Sequence, residues 1–305
     1  MKANLVCKGG GMKGIALVGA IACLEDSGYE WDRLAGTSAG ALVASLLSVG
    51  YTSSEIEEIL YDIDYPKFKD KNIFQFIPFA GDLLSVTFHK GIYSGKYLED
   101  FLHEKFKQKG KTKFKDVSVN GESKLKMIAS DVTRKKLLVL PDDLVDYGLD
   151  PMEFEISKAV RMSVSIPLYF YPVELKYDNK SCFVVDGGLL SNFPIWIFDT
   201  NCNSKYPTIG LNLSEDTNQE IHESKNPIHY LLDIVKTSLY TNEDVYFKEK
   251  DSLRIINIPT LNVSATDFDL PKETMEELYK SGYKASQVFV VNRYLETYIS
   301  KYGFN

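Results

Sequence analysis

No apolar run in these 305 residues approaches the ~20 needed to span a bilayer. Any membrane contact is therefore expected to be peripheral. The N-terminus shows no apolar signal-peptide core either, because Asn4–Lys8 runs straight into glycines. Cysteine is scarce. The four residues Cys7, Cys23, Cys182 and Cys202 form no CxxC pair, so the spacing for a zinc site is missing. Cys7 and Cys182 fall in apolar, strand-like runs, where a thiol acts as a small hydrophobe. All four are read as reduced, which fits a cytoplasmic protein. A cationic excess is also missing. With a net charge of −7, the chain is not expected to bind nucleic acid, which needs a positive face to displace counterions.

What is present is the composition of a soluble globular protein, 44% hydrophobic and 25% charged, long enough to bury a large core. There is no internal repeat and no linker rich in Pro, Gly or Ser. A single domain over 1–305 is the simplest reading. Apolar runs predict strands at Asn4–Lys8, Trp31–Ala35, Leu125–Val132, Lys136–Leu140, Ser181–Val185, Thr208–Leu213 and Leu253–Ile258. Helical patterns cover Ile15–Asp26, Ala41–Val49, Thr52–Ile63, Gly95–Lys107, Glu155–Val164, Asn226–Lys250 and Lys272–Tyr302. The third of these opens with Ser53 or Ser54 as a cap and Glu57 as its partner. Strands alternating with helices predict a three-layer α/β fold with a mostly parallel central sheet flanked by helices.

Two small-residue turns interrupt this pattern. Gly9-Gly10-Gly11-Met12-Lys13-Gly14 has the form GxGxxG between a strand and a helix. It fits a dinucleotide site, with pyrophosphate at the helix N-terminus. It fits equally an oxyanion hole, in which bare backbone N–H groups hold developing negative charge. A tight turn without a ligand is the third reading. The nucleotide reading wants an acidic residue closing the second strand, and that strand runs instead into Ala35-Gly36-Thr37-Ser38, with Asp32 at its wrong end. Gly36-Thr37-Ser38-Ala39-Gly40 has the form GxSxG, again between strand and helix. A serine projecting from a sharp turn needs small neighbours, and Gly36 and Gly40 supply them.

A serine nucleophile needs a base. Of His89, His103, His222 and His229, only His222 has the chain order and loop setting of a Ser–Asp–His triad. Asp186 is the stronger candidate. It ends the apolar run Cys182-Phe183-Val184-Val185 and enters Gly187-Gly188, at the sheet edge where α/β folds bind ligands. The bland alternative is an Asp that merely caps a turn.

The Gly9–Gly14 turn, Gly36–Gly40 and Asp186-Gly187-Gly188 occur in the order and spacing of the patatin-like phospholipases, which the chain resembles. Gly91-Ile92-Tyr93-Ser94-Gly95, Ala129-Ser130-Asp131-Val132, Ala159–Pro167 and Asp186–Pro194 extend the match over about residues 4–198. The resemblance implies a lipid acyl hydrolase with Ser38 as nucleophile and Asp186 as its base. The backbone at Gly10, Gly11 and Met12 would form the oxyanion hole, with Gly9, Lys13, Gly14, Gly36, Gly40, Gly187 and Gly188 supporting the motifs. It implies a phospholipid or related lipid ester as substrate, transient contact with a membrane surface, and no metal or other cofactor. A soluble esterase using His222 and a nucleotide-binding protein using the glycine turn remain the alternatives. Residues 206–305 carry no recognisable motif and are expected to complete and cover the sheet. Two further segments bear on lipid access: the apolar stretch Asn72–Tyr93, read as an interfacial loop or a core-packed one, and the lysine-rich stretch Lys105–Lys115, read as a solvated surface or a headgroup contact.

Overall fold

The computed structural model describes residues 1–64, 67, 81–199, 205–214, 227–239, 249–261, 263–265, 267 and 270–303. The fold class is the expected α/β one, with helices flanking a central sheet. The chain groups into two compact units, each assembled from separated stretches: 1–63, 193–219 and 242–305 in the first, 64–192 and 220–241 in the second. The first unit opens with strands β1 (Lys2–Cys7) and β2 (Glu30–Thr37). The second holds β3 (Gly91–Tyr93), β4 (Ser118–Val119), β5 (Glu122–Ser123), β6 (Leu125–Asp131), β7 (Lys136–Leu140), β8 (Leu168–Phe170), β9 (Val173–Tyr177) and β10 (Lys180–Asp186). The first closes with β11 (Thr208–Ser214) and β12 (Ile255–Pro259). The helices divide likewise. The first unit has α1 (Gly14–Asp26), α2 (Ala39–Val49) and α3 (Ser53–Asp62); the second has α4 (Gly81–His89), α5 (Lys96–Gln108), α6 (Ile156–Ser163) and α7 (Pro227–Leu239); α8 (Lys272–Val291) and α9 (Tyr294–Tyr302) return to the first.

In the first unit the strands run β12-β11-β1-β2, all parallel. Strands β1 and β11 are almost wholly buried, which is why they read as continuous apolar runs and not as alternating ones. Parallel pairing puts every C-terminal strand end on one edge, where ligands bind in such sheets. Helix α1 is apolar nearly all round because it is covered on several sides. Glycine makes its contact with α8 possible: a Cβ at Gly282 would lie 1.8 Å from the Ala16 carbonyl oxygen, and one at Gly19 2.0 Å from that of Tyr279. Arg254, fully buried, donates to both carboxylate oxygens of Asp199 at 2.7 and 2.6 Å and to Asp251 at 2.8 Å. Burial works against its charge, yet these two carboxylates more than offset it and hold the guanidinium above its ordinary pKa.

In the second unit the order β7-β6-β10-β9 is antiparallel throughout. A tight turn through Thr133–Lys135 links β6 to β7. Two sequence expectations change in detail. The cap of α3 is Thr52 with Glu55, one position earlier than Ser53: the Thr52 side chain accepts from the Glu55 N–H, and Glu55 accepts from the Thr52 N–H at 2.8 Å. The tail breaks into α8 and α9 at Arg293, whose φ of 52° leaves the helical region. Helix α7 is described over Pro227–Leu239; residues 226 and 240–248 of the expected Asn226–Lys250 helix lie outside the described residues. In the stretch Asn72–Tyr93, residues 72–80 are likewise outside, and the rest forms α4 and β3. In the lysine-rich stretch, Lys113 and Lys115 both pair with Glu153, at 3.0 and 2.7 Å, so part of that charge is already matched. Among the described residues, no helix is long and apolar enough to cross a membrane.

Candidate active site

The first unit carries two of the three motifs on the C-terminal edge of its sheet. Strand β1 ends at Cys7 and the glycine turn follows. Gly11 has a φ of +55°, a left-handed conformation that glycine adopts freely. The N–H groups of Gly10 and Gly11 make no hydrogen bond among the described residues, although Gly10 is buried. Unpartnered buried N–H groups are rare in folded proteins. The Met12 N–H is different. It donates to the Ala265 carbonyl at 3.0 Å. Met12 was expected to serve the oxyanion hole with Gly10 and Gly11; its donor is committed to the protein itself. Lys13, only 3% exposed, and Gly14 lead into α1.

Strand β2 ends at Thr37 and Ser38 follows immediately as the N-cap of α2. Ser38 has φ 52° and ψ −123°, a strained position for any residue with a side chain, and is 8% exposed. Sharp, strained strand-to-helix turns are how a nucleophilic serine is presented. The small neighbours are sterically required. A Cβ at Gly36 would stand 2.3 Å from the Gly40 carbonyl carbon, and one at Gly40 would stand 2.2 Å from the Cys7 carbonyl oxygen. The second contact packs the serine turn against the end of β1, next to the glycine turn. At Gly14 a Cβ would lie 3.3 Å from that of Ala39, which brings the starts of α1 and α2 together as well. Ser38 therefore shares its edge with Gly10 and Gly11, under the N-termini of two helices whose dipoles favour negative charge.

The second unit carries the third motif. Asp186 is the last residue of β10, 2% exposed, and pairs with Ala129 of β6. Its N–H donates to the Ser165 carbonyl at 2.8 Å, and its side chain accepts the Gly188 N–H at 2.8 Å. Gly187 admits the turn because a Cβ there would meet the Ile128 carbonyl oxygen at 2.2 Å. Buried Arg161 donates to the Ser165 hydroxyl and, at 2.6 Å, to the Ser94 carbonyl, so the backbone that holds Asp186 is itself fastened. Of the histidines, His89 stacks on Tyr171 at 4.7 Å and His103 lies 3.6 Å from Glu155. His222 and the His229 side chain fall outside the described residues.

The Patatin-like phospholipase family model matches residues 5–199. The chain belongs to the patatin-like phospholipase family. The matched span coincides with the core expected from the motifs. Among relatives of this patatin-like chain, an uncharacterised protein, YqhO of Bacillus subtilis (strain 168), is 38% identical over 290 residues, covering 93% of this chain and 97% of its own length. A protein of Invertebrate iridescent virus 6 named as a probable lipid hydrolase, 463L, is 26% identical over 294 residues, covering 93% of this chain and 88% of its own. Among solved structures, VipD from Legionella pneumophila superposes with a TM-score of 0.58 at 19% identity, over 95% of this chain and 67% of that one. That likeness speaks to the fold alone.

Sequence reasoning did not find Ala265 or Ser165. Both act through main-chain carbonyls, and no side-chain pattern announces a carbonyl.

Proposed function

We propose that this patatin-like protein is a lipid acyl hydrolase of the phospholipase A type, working through Ser38 and Asp186 without calcium. The observation that carries the reading is the first unit's edge: a strained serine at the start of a helix, beside two glycine N–H groups with no partner among the described residues. Family membership and a viral relative named as a probable lipid hydrolase support the substrate class.

In this reading the Ser38 Oγ attacks the ester carbonyl carbon and its proton passes to the Asp186 carboxylate. The carbonyl oxygen becomes an oxyanion that accepts from the Gly10 and Gly11 N–H groups. Collapse expels the alcohol, a lysophospholipid, which takes the proton from Asp186. Water then gives a proton to Asp186 and attacks the acyl-enzyme; a second collapse releases the fatty acid as the proton passes from Asp186 to the Ser38 Oγ, restoring both the hydroxyl and the carboxylate. Asp186, 2% exposed, takes the proton directly, so this reading needs no histidine. The triad alternative rests on His222, outside the described residues. The nucleotide alternative needs the N–H groups of the glycine turn for pyrophosphate, and Ala265 already takes that of Met12.

Lipid contact is assigned to α7. Its Leu239 joins Ile166 and Phe170 in a buried cluster against which Val235 and Leu189, the latter in the turn after Asp186, both pack, while Tyr230, Leu231 and Ile234 are exposed. An apolar helix face beside the base suits a lipid surface.

The test incubates the protein with mixed phospholipid vesicles, with and without EDTA, and identifies products by mass spectrometry. Wild type should release fatty acid and lysophospholipid in both conditions, and Ser38→Ala should release neither. Equal product from the mutant would remove Ser38 as nucleophile; product lost with EDTA would remove calcium independence.

A further inference from the structure

Nothing in residues 206–305 matches a motif, and the family match ends at residue 199. Yet this region reaches the glycine turn. Beyond β12, Thr260 is anchored to the end of β11, its N–H and its hydroxyl both donating to the Ser214 carbonyl at 3.2 and 3.0 Å. The Val263 N–H donates back to the Thr260 carbonyl at 3.1 Å, and that of Asp267 to the Ser264 carbonyl at 3.2 Å. Between these turns lies Ala265, 2% exposed, with its carbonyl on the Met12 N–H. Contact with Gly11 is as close as contact can be: a Cβ there would stand 2.0 Å from the Ala265 carbonyl oxygen and 2.9 Å from its Cβ.

We propose that the Ala265 carbonyl is a clamp that holds the Gly10–Gly11 donors in their working direction, so that the C-terminal third completes the oxyanion hole. The inference rests on the acyl-hydrolase reading above and gives the unmatched region a role in it. The physical need is clear. Three successive glycines have the largest backbone freedom of any sequence, and donors that swing cannot be preorganised. Within the turn, restraint comes from the Lys13 N–H on the Gly10 carbonyl at 3.2 Å and the Gly14 N–H on that of Gly11. Neither fixes the turn against the rest of the sheet edge. The Met12–Ala265 bond does, because Ala265 is tied through Thr260 to β11, the neighbour of β1. A carbonyl seated there could instead act as an internal plug against substrate, and the two roles predict opposite outcomes.

The decisive comparison is Ala265→Leu against wild type with a short-chain p-nitrophenyl ester. The added bulk has nowhere to go against Gly11 and lifts the carbonyl from Met12. The clamp predicts that kcat falls about 10²-fold while KM changes by less than about three-fold, the signature of lost transition-state stabilisation. Labelling of Ser38 by a fluorophosphonate should slow in parallel, and Ala265→Gly, which keeps the carbonyl and adds no bulk, should recover most of the kcat. A rise in kcat, or an unchanged one in a folded variant, would overturn the clamp. Amide hydrogen exchange on wild type decides the matter even where Ala265→Leu fails to fold: Met12 should be protected while Gly10 and Gly11 exchange rapidly. Equal exchange at all three sites sinks the proposal. If wild type hydrolyses no ester and Ser38 takes no label, the acyl-hydrolase reading is what has failed, and the exchange pattern still reports separately whether Ala265 holds the turn.

Discussion

Ser38 occupies a backbone conformation that costs of order 1–3 kcal/mol for a non-glycine residue. The surrounding contacts over-determine it: β2 on one side, α2 on the other, and no room for side chains at Gly36 or Gly40. Asp186 is placed by a different device, a strand end whose N–H is held by Ser165 and whose carboxylate caps the following turn. An asparagine there can still accept from Gly188 but cannot take a proton. Asp186→Asn should therefore lower kcat by about 10³-fold, the range expected for loss of a general base, while its melting temperature stays close to that of wild type. Steady-state kinetics with a soluble ester, paired with a thermal melt, checks both halves.

Among the described helices, the α1–α8 contact leaves no room for a side chain at Gly19 or Gly282. Gly282 is buried against the Ala16 carbonyl, and no side chain fits without parting the helices. Gly282→Val should destabilise the protein by about 3 kcal/mol, read from urea denaturation as a lower midpoint with an unchanged slope. If α7 is the lipid-facing element proposed above, binding can be separated from chemistry by a single change. Ile234→Ser leaves the packed Val235 and Leu239 face intact and should reduce turnover on phospholipid vesicles several-fold while leaving hydrolysis of a soluble ester unaltered. Equal loss on both substrates would count against α7 as the lipid-facing element. The stretch Asn72–Tyr93, read from the sequence as an interfacial or core-packed loop, lies partly outside the described residues and is not tested by this comparison.

For the molecule as a whole, the interleaved composition of the two units matters most. The chain passes between them at 63/64, 192/193, 219/220 and 241/242, so no single cut yields either unit intact. We take the chain as one cooperative domain, and calorimetry should show a single unfolding transition; two resolved transitions would contradict it. Truncation after residue 199 keeps every recognisable motif but removes β11 and β12, leaving apolar β1 at a bare edge and Met12 without Ala265. That fragment should be insoluble or inactive, tested by expression and ester hydrolysis beside the full chain.

The amino-acid sequence by itself determined the α/β class through apolar periodicity and the family through the resemblance that its glycine-turn, GxSxG and Asp-Gly-Gly motifs carry, and it singled out Ser38 and Asp186 as candidates, each at the end of a strand. It also placed most elements to within a few residues, and it erred where the deciding contact was one backbone position away, as at Thr52, or where a break depended on a single left-handed residue, as at Arg293. Only the tertiary structure decided which glycine-turn donors remain available. That outcome depends on a carbonyl more than 250 residues distant along the chain, Ala265 on Met12. Main-chain groups are the same at every position, so their pairing over such separations leaves no mark in composition or pattern.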